Sequence, residues 1–333
     1  PWVCRGIWRP PSPRALPCYV SAPPFSALDK GDLAPGVALY CDALCITHHL
    51  HETLWPLSTA QVGTATSARG TWPLEEPALT TPEIAFIGAG NMASSIVGGL
   101  VAAGHEAQLI RAADPFPDSL LRLREVAPVV TCTSNTEADN GADVIILAVK
   151  PQVMASVCSD ISTALGNSGA LVISIAAGIT INSMQTWLGT ETPIVRCMPN
   201  TPALLGCGAS GLYANANVSA QQREWAAQIL SAVGIIEWVA EEHDLDAVTA
   251  LSGSGPAYFF LFMEAMIDAA VAQGLSRETA TRLALQTGMG AARMGLENDV
   301  DLAELRRRVT SPGGTTEAAI NSFEAAGVRE LIS

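Results

Sequence analysis

Two short segments, far apart in the chain, carry the residue types that handle anions. The first is Gly88-Ala89-Gly90-Asn91-Met92-Ala93, placed directly after the apolar run Ile84-Ala85-Phe86-Ile87. Its GxGxxA pattern gives Gly88 for a tight turn, Gly90 for close backbone approach to a pyrophosphate, and Ala93 for close helix–strand packing. The second is Val309-Thr310-Ser311-Pro312-Gly313-Gly314-Thr315-Thr316, a turn between two helical runs, Leu302 to Arg308 and Glu317 to Ala326. Glycines without side chains let N–H groups converge on an anion there, and a helix N-terminus adds its positive end. One segment suits a dinucleotide, the other a small anion.

The elements that must position them follow an alternating pattern. Ile84 to Ile87 reads as a buried parallel strand and Asn91 to Ala103 as a helix stopped by Gly104. Strands are expected at Ala107–Arg111, Val129–Thr131, Asp143–Val149, Ala170–Ser174 and Ile194–Cys197, with a helix from Pro117 to Val126. This is a doubly wound parallel sheet, and its ligands bind beyond the carboxyl ends of the strands. The rule selects Ala112-Ala113-Asp114, Val149-Lys150-Pro151, Ala176-Ala177-Gly178 and Met198 to Pro202 as rim segments. Lys150 is expected near the nicotinamide half of a bound dinucleotide. Asp114, at the end of the second strand, suits the adenine-side ribose of NAD and should repel the 2′-phosphate of NADP, whereas Arg111, three residues earlier, could offset that charge. The coenzyme choice stays open between the two.

Past Asn217 the pattern turns helical. Ser219 to Val233 is an amphipathic helix with a serine cap, Gly234 to Val239 a brief strand, and Glu241 to Leu251 a helical run. Ser252-Gly253-Ser254-Gly255-Pro256 reads as a hinge-like break. From Ala257 to Met266 apolar residues cover almost the whole circumference, which predicts a helix surrounded by a second copy of the chain. Small residues Ala280, Ala284, Gly288 and Ala291 line one side of the helix from Arg277 to Leu296.

Composition sets the outer bounds. The 333 residues suggest about two domains, and 49% are hydrophobic, enough for a proper core. A net charge of −14 argues against a nucleic-acid surface. No apolar run reaches the roughly 20 residues a membrane span needs. Cys132, Cys158, Cys197 and Cys207 form no CxxC pair and suit reduced, buried thiols in a cytoplasmic enzyme. Residues 1–82 hold 12 of the 21 prolines and show no period, so they read as a disordered or non-native leader. Cys41, Cys45, His48, His49 and His51 crowd together there, but zinc sites use more regular paired spacings, and no metal is expected.

The chain resembles the pyrroline-5-carboxylate reductases. The resemblance rests on Phe86 to Ala93, Ala148-Val149-Lys150-Pro151, Ala176-Ala177-Gly178, Arg196 to Pro202, Asp246 to Tyr258, and Val309 to Thr316 with Ile320 and Phe323-Glu324 behind it. It covers Ile84 to Ser333 and implies a Rossmann domain over 83–240, then an all-α domain for substrate binding and dimerisation over 241–333. It also implies a further helical stretch beyond Ser333. The implied activity is reduction of 1-pyrroline-5-carboxylate to L-proline with NADP(H) or NAD(H), in a homodimer or higher homo-oligomer, with neither nucleic acid nor membrane as partner.

Carried over by position, the resemblance assigns Ile87, Gly88, Ala89, Gly90, Asn91 and Met92 to the pyrophosphate loop. Ala113 and Asp114 would flank the adenine ribose, Asn135 the adenosine, and Val149, Lys150 and Ala177 the nicotinamide side. Thr249 would lie by the ring nitrogen, as a hydrogen-bond donor to it. Ser311, Gly313, Gly314, Thr315 and Thr316 would hold the substrate carboxylate. Arg308 departs from the pattern, since many relatives carry Asn just before the motif. Two other readings are another NAD(P)-dependent imine reductase and a non-enzymatic dinucleotide sensor. A β-hydroxyacid reductase would need a lysine in the second domain, and Lys30 and Lys150 are the only lysines.

Overall fold

A computed structural model describes residues 81–166 and 168–333. The predicted leader and its Cys41–His51 cluster fall outside the described residues. Eight strands form one sheet in the order β3-β2-β1-β4-β5-β6-β7-β8. They are β1 (Ile84–Ile87), β2 (Ile110–Ala113), β3 (Val130–Cys132), β4 (Val144–Leu147), β5 (Leu171–Ser174), β6 (Ile194–Met198), β7 (Gly208–Ala214) and β8 (Gly234–Trp238). β1 to β6 are parallel, with Ile87 level with Ala113 and Leu147.

The sheet departs from a purely parallel one at β7, which runs antiparallel to β6 and parallel to β8. Sequence periodicity does not reveal β7. Its GASGLYA sequence is rich in small residues, and its place depends on pairing with β6. The expected second strand starts later than its apolar run, because Ala107–Leu109 is a short 3-10 turn that leads into β2.

Helices cover both faces: α1 (Asn91–Ala102), α2 (Pro117–Val126), α3 (Asn135–Asp139), α4 (Met154–Leu165), α5 (Ile181–Leu188) and α6 (Ala220–Ser231). Local chemistry explains their starts. Pro117 opens α2 with Asp118 in its first turn, Thr180 caps α5, and Ser219 with Gln222 makes a full capping box on α6. Because helices lie on both faces, β1, β4 and β5 are buried throughout, as their continuous apolar runs require. One core (Phe86, Ile96, Ile146, Leu230) lies on the α1 and α6 side, and the other (Ile145, Leu147, Met154, Ile161, Met184) on the α4 and α5 side. Cys132, Cys158 and Cys197 are buried free thiols, whereas Cys207 is exposed, against the expectation that all four are covered.

After β8 every element is helical: α7 (Asp244–Val248), a π-turn at Thr249–Gly253, α8 (Gly255–Ala272), α9 (Arg277–Leu296), α10 (Leu302–Arg308), α11 (Thr315–Ala325) and α12 (Val328–Ile332). The expected break at Ser252–Pro256 is instead the π-turn, which carries the helix through. The resulting run, Asp244–Ala272, is 29 residues long with mean hydropathy 1.3, and 6% of its most apolar window is buried. By length and composition alone this helix could cross a membrane, but the run is interrupted by Asp244, Asp246, Glu264 and Asp268, so it is not a continuous apolar stretch of the kind a span needs. On α8, Tyr258, Phe259, Phe260, Leu261, Phe262 and Met266 are all exposed. Three arginines close α10, where positive charge complements the helix dipole.

Candidate active site

The rim of the sheet is built around the turn after β1. Gly88 has φ 102° and its N–H donates to the Ala113 carbonyl at 2.8 Å, which binds the turn to the end of β2. A Cβ on Gly88 would meet the Ala148 oxygen at 2.5 Å, so only glycine fits between β1 and β4. Gly90 is the opposite case, with nothing within 4 Å of a built Cβ. It precedes α1, which has no side-chain cap. Uncapped N–H groups facing open space after a glycine turn fit a pyrophosphate.

Asp114 is held by this loop. Its Oδ2 accepts from the Ala89 N–H at 2.8 Å and its Oδ1 from the Phe116 N–H at 2.9 Å. Both oxygens therefore stand at the mouth of the turn, with lone pairs left for ribose hydroxyls. Arg111 does not reach them. Its guanidinium pairs instead with Glu83 at 2.9 Å, before β1 begins.

The remaining rim residues sit where the strand-end rule puts them. Half-buried Asn135 opens α3 after β3, under the Ser134 cap. Val149 and exposed Lys150 follow β4, with a Val149 methyl 3.1 Å from the built Gly88 Cβ. Exposed Ala177 follows β5.

Thr249 opens the π-turn, which packs on the β6–β7 edge. A Cβ on Gly253 would meet the Met198 methyl at 2.7 Å, and one on Gly211 would meet Val248 at 2.7 Å. The Thr249 hydroxyl donates to the Leu245 carbonyl at 2.7 Å. A carbonyl can only accept, so the proton of Thr249 is committed and its free capacity is as an acceptor. This differs from the donor role the resemblance implies.

At the second anion segment, not every expected N–H is free. Gly313 donates to the Glu317 carboxylate at 2.8 Å, and Gly314 donates to the Ser311 carbonyl at 3.0 Å. What remains open is the first turn of α11 at Thr315 and Thr316, both exposed, with no side-chain cap. Apart from the bonds inside α11, the hydrogen bonds of residues 310–316 stay within residues 306–318. The structure thus gathers the Gly88 loop, Asp114 and Val149 at one rim, and among the described residues no hydrogen bond ties the Ser311–Thr316 segment to them. Phe262 of α8 and Phe323 of α11 meet edge to face, centroids 6.1 Å apart, and tie this segment to the exposed apolar helix.

Sequence reasoning gave no role to three side chains that join the helical half to the sheet. Arg196, nearly buried on β6, donates to Glu242 at 3.0 Å, and Glu242 also accepts from the Ile181 N–H at 2.8 Å. Asn200 bridges Ser252 and Ala209. The signal available was the Arg196–Pro202 segment itself.

A glycine-turn fingerprint on a doubly wound sheet, joined to a helical half with an anion-holding turn, defines a nicotinamide-dinucleotide oxidoreductase of small anionic substrates. Residues 83–178 match the family described as NADP oxidoreductase, coenzyme F420-dependent, and residues 242–333 match pyrroline-5-carboxylate reductase dimerisation. A pyrroline-5-carboxylate reductase of Pseudomonas aeruginosa is 58% identical over 254 residues, 76% of this chain and 93% of that protein. One from Vibrio alginolyticus is 45% identical over 75% of this chain and 92% of its own length. Among solved structures, the Coxiella burnetii pyrroline-5-carboxylate reductase superposes with TM-score 0.74 at 45% identity, covering 76% of this chain and 94% of that one. The Plasmodium falciparum enzyme, solved with NADP bound, gives TM-score 0.67 at 33% identity over 75% and 92%. The chain belongs to the pyrroline-5-carboxylate reductase family, and its helical half is that family's oligomerisation region.

Proposed function

We propose that the protein reduces 1-pyrroline-5-carboxylate to L-proline with NADP(H) or NAD(H), the last step of proline biosynthesis. The observation that carries the reading is the pairing of a pyrophosphate-fitting turn at Gly88–Ala93 with an uncapped helix N-terminus at Thr315–Thr316 in one chain. The coenzyme supplies the hydride to the ring carbon. Ile87 to Met92 hold its pyrophosphate, Ala113, Asp114 and Asn135 border its adenosine, and Val149, Lys150 and Ala177 line its nicotinamide half.

The substrate side is positioning and polarisation. The N–H groups and hydroxyls of Thr315 and Thr316, beside Ser311, Gly313 and Gly314, grip the carboxylate and fix which face of the ring is reduced. Thr249 accepts from the N–H of the protonated imine, since its own proton rests on Leu245. That bond favours the iminium, the form that accepts hydride, without a buried protein charge.

The finer assembly proposal is a homodimer formed through α8. Within one chain the carboxylate turn is exposed, and it is tied through Phe323 to the uncovered face of α8. Burying α8 in a second copy would bring the turns toward the paired rims. The buried free thiols support the cytoplasm as the compartment.

Steady-state kinetics with 1-pyrroline-5-carboxylate and with 1-pyrroline, which lacks the carboxylate, test this reading. The carboxylated ring should be turned over with at least about a hundredfold higher kcat/KM, because a charge-assisted grip is lost without it. Equal kcat/KM for the two rings would contradict it.

A further inference from the structure

The Arg196–Pro202 segment is the sequence motif to which the proposed chemistry gives no part. Asn200, at its centre, is 8% exposed, and both ends of its amide are used. Its Oδ1 accepts from the Ala209 N–H at 2.9 Å, at the start of β7, and its Nδ2 donates to the Ser252 carbonyl at 3.0 Å, inside the π-turn. That carbonyl has a particular need. In a regular helix its donor would be the N–H four residues on, and the residue there is Pro256, which has none.

The π-turn is thus completed from outside. The Ser254 N–H reaches back to the Thr249 carbonyl at 2.8 Å, the Ser252 hydroxyl donates to Val248 at 3.0 Å, and Asn200 supplies the donor that Pro256 cannot. Gly253 lets the turn lie directly on Met198, two residues before Asn200. At the other end of the same stretch, Arg196 holds Glu242 just before α7. Thr249 lies between these two attachments, and both come from β6 and the residues that follow it. π-turns of this kind often occur at functional sites, where the extra residue re-aims a side chain.

We infer that Asn200 is a positioning residue for the reduction. By satisfying the Ser252 carbonyl it locks the π-turn, and the π-turn fixes where the Thr249 hydroxyl stands relative to the sheet rim. The inference rests on the reaction proposed above and adds a residue that acts through Thr249 rather than on the substrate.

The test is a double-mutant cycle of Asn200→Asp with Thr249→Val, read by kcat at saturating imine, coenzyme Kd and urea unfolding. Asp keeps the size and the acceptor for Ala209 but turns an oxygen toward the Ser252 carbonyl. Asn200→Asp should keep cooperative unfolding and a coenzyme Kd within about twofold, while kcat falls about tenfold or more. In the Thr249→Val background the same change should cost less than about twofold, because the residue it acts through is already gone. A folded Asn200→Asp with wild-type kcat overturns the inference, as does an undiminished loss in the Thr249→Val background. Should Asn200→Asp fail to fold, Asn200→Ser takes its place in the cycle, and the same two results would support or overturn the inference. A wild-type protein that binds coenzyme but does not reduce the imine would instead overturn the proposed function.

Discussion

The Asp114 carboxylate accepts from the Ala89 backbone N–H at 2.8 Å, so the acid at the end of β2 and the glycine turn after β1 form one unit. The carboxylate therefore shapes the turn, and in the proposed site it borders the adenine-side ribose, where it would repel a 2′-phosphate. Asp114→Asn removes the charge and one acceptor together. We expect NADH affinity to fall about tenfold, since a hydrogen bond to a charged group contributes roughly 1.5–3 kcal/mol. NADPH should lose less, so the ratio of kcat/KM values moves toward NADPH. Initial rates with both coenzymes measure this, and an unchanged ratio would place the ribose elsewhere.

Thr249→Val and Thr316→Val separate the two halves of the substrate site. Loss of the Thr249 hydroxyl should lower kcat and kcat/KM together by about ten- to a hundredfold, because less of the bound ring is then held as the iminium that accepts hydride. Loss of the Thr316 hydroxyl should chiefly raise KM for the imine. Coenzyme affinity, measured by fluorescence titration, should hold in both. The opposite assignment of kcat and KM effects would exchange the two roles.

Asp139 gives a prediction about pH. It closes α3, is 4% exposed, and neither carboxylate oxygen has a hydrogen-bond partner. Burial pushes its pKa from 3.8 up to about 6, and Arg111 pulls it partly back. The folded protein therefore binds a proton between those values that the unfolded chain has released. Stability falls as pH rises through that window and levels off above it. The whole fall amounts to roughly 3 kcal/mol, an order-of-magnitude figure. Asp139→Asn should flatten this slope and make the protein more stable than wild type at pH 8. Urea unfolding at pH 5 and pH 8 checks it, and parallel wild-type and variant profiles would refute it.

The exposed face of α8 gives the assembly prediction. Phe259 is 67% exposed and Leu261 68%. A Phe259→Glu change costs a single chain little, because that ring touches mostly solvent. In a dimer it would bury an unpaired charge, a penalty of several kcal/mol. Light scattering should show the wild type as a dimer or larger and the variant shifted to monomer, with activity lost. An active monomeric variant would mean the site does not need the second chain.

What could be read in the sequence was what is local. The turn at Gly88 and the strands at Ile84 and Val144 announce themselves, because a tight turn and a two-faced buried strand each demand particular residues in succession. The serine cap at Ser219 was equally plain. β7 was hidden, since glycine and alanine carry no strand period and only β6 gives that segment its place. The π-turn was hidden for a related reason. Ser-Gly-Ser-Gly-Pro reads as a break until Asn200, 52 residues upstream, is seen to supply the bond that Pro256 lacks. The partner of Arg111 was hidden too, because distance along a strand is not distance at the rim: Arg111 lies on β2 but points to Glu83 at the far end.

One conversion decides the assignment. Purified protein, given 1-pyrroline-5-carboxylate and limiting NADPH or NADH, should form L-proline in a one-to-one ratio with coenzyme oxidised, as measured by chiral chromatography beside the loss of absorbance at the nicotinamide band. Equimolar L-proline is the result the structure leads us to expect. Coenzyme that binds tightly while no proline accumulates would contradict it.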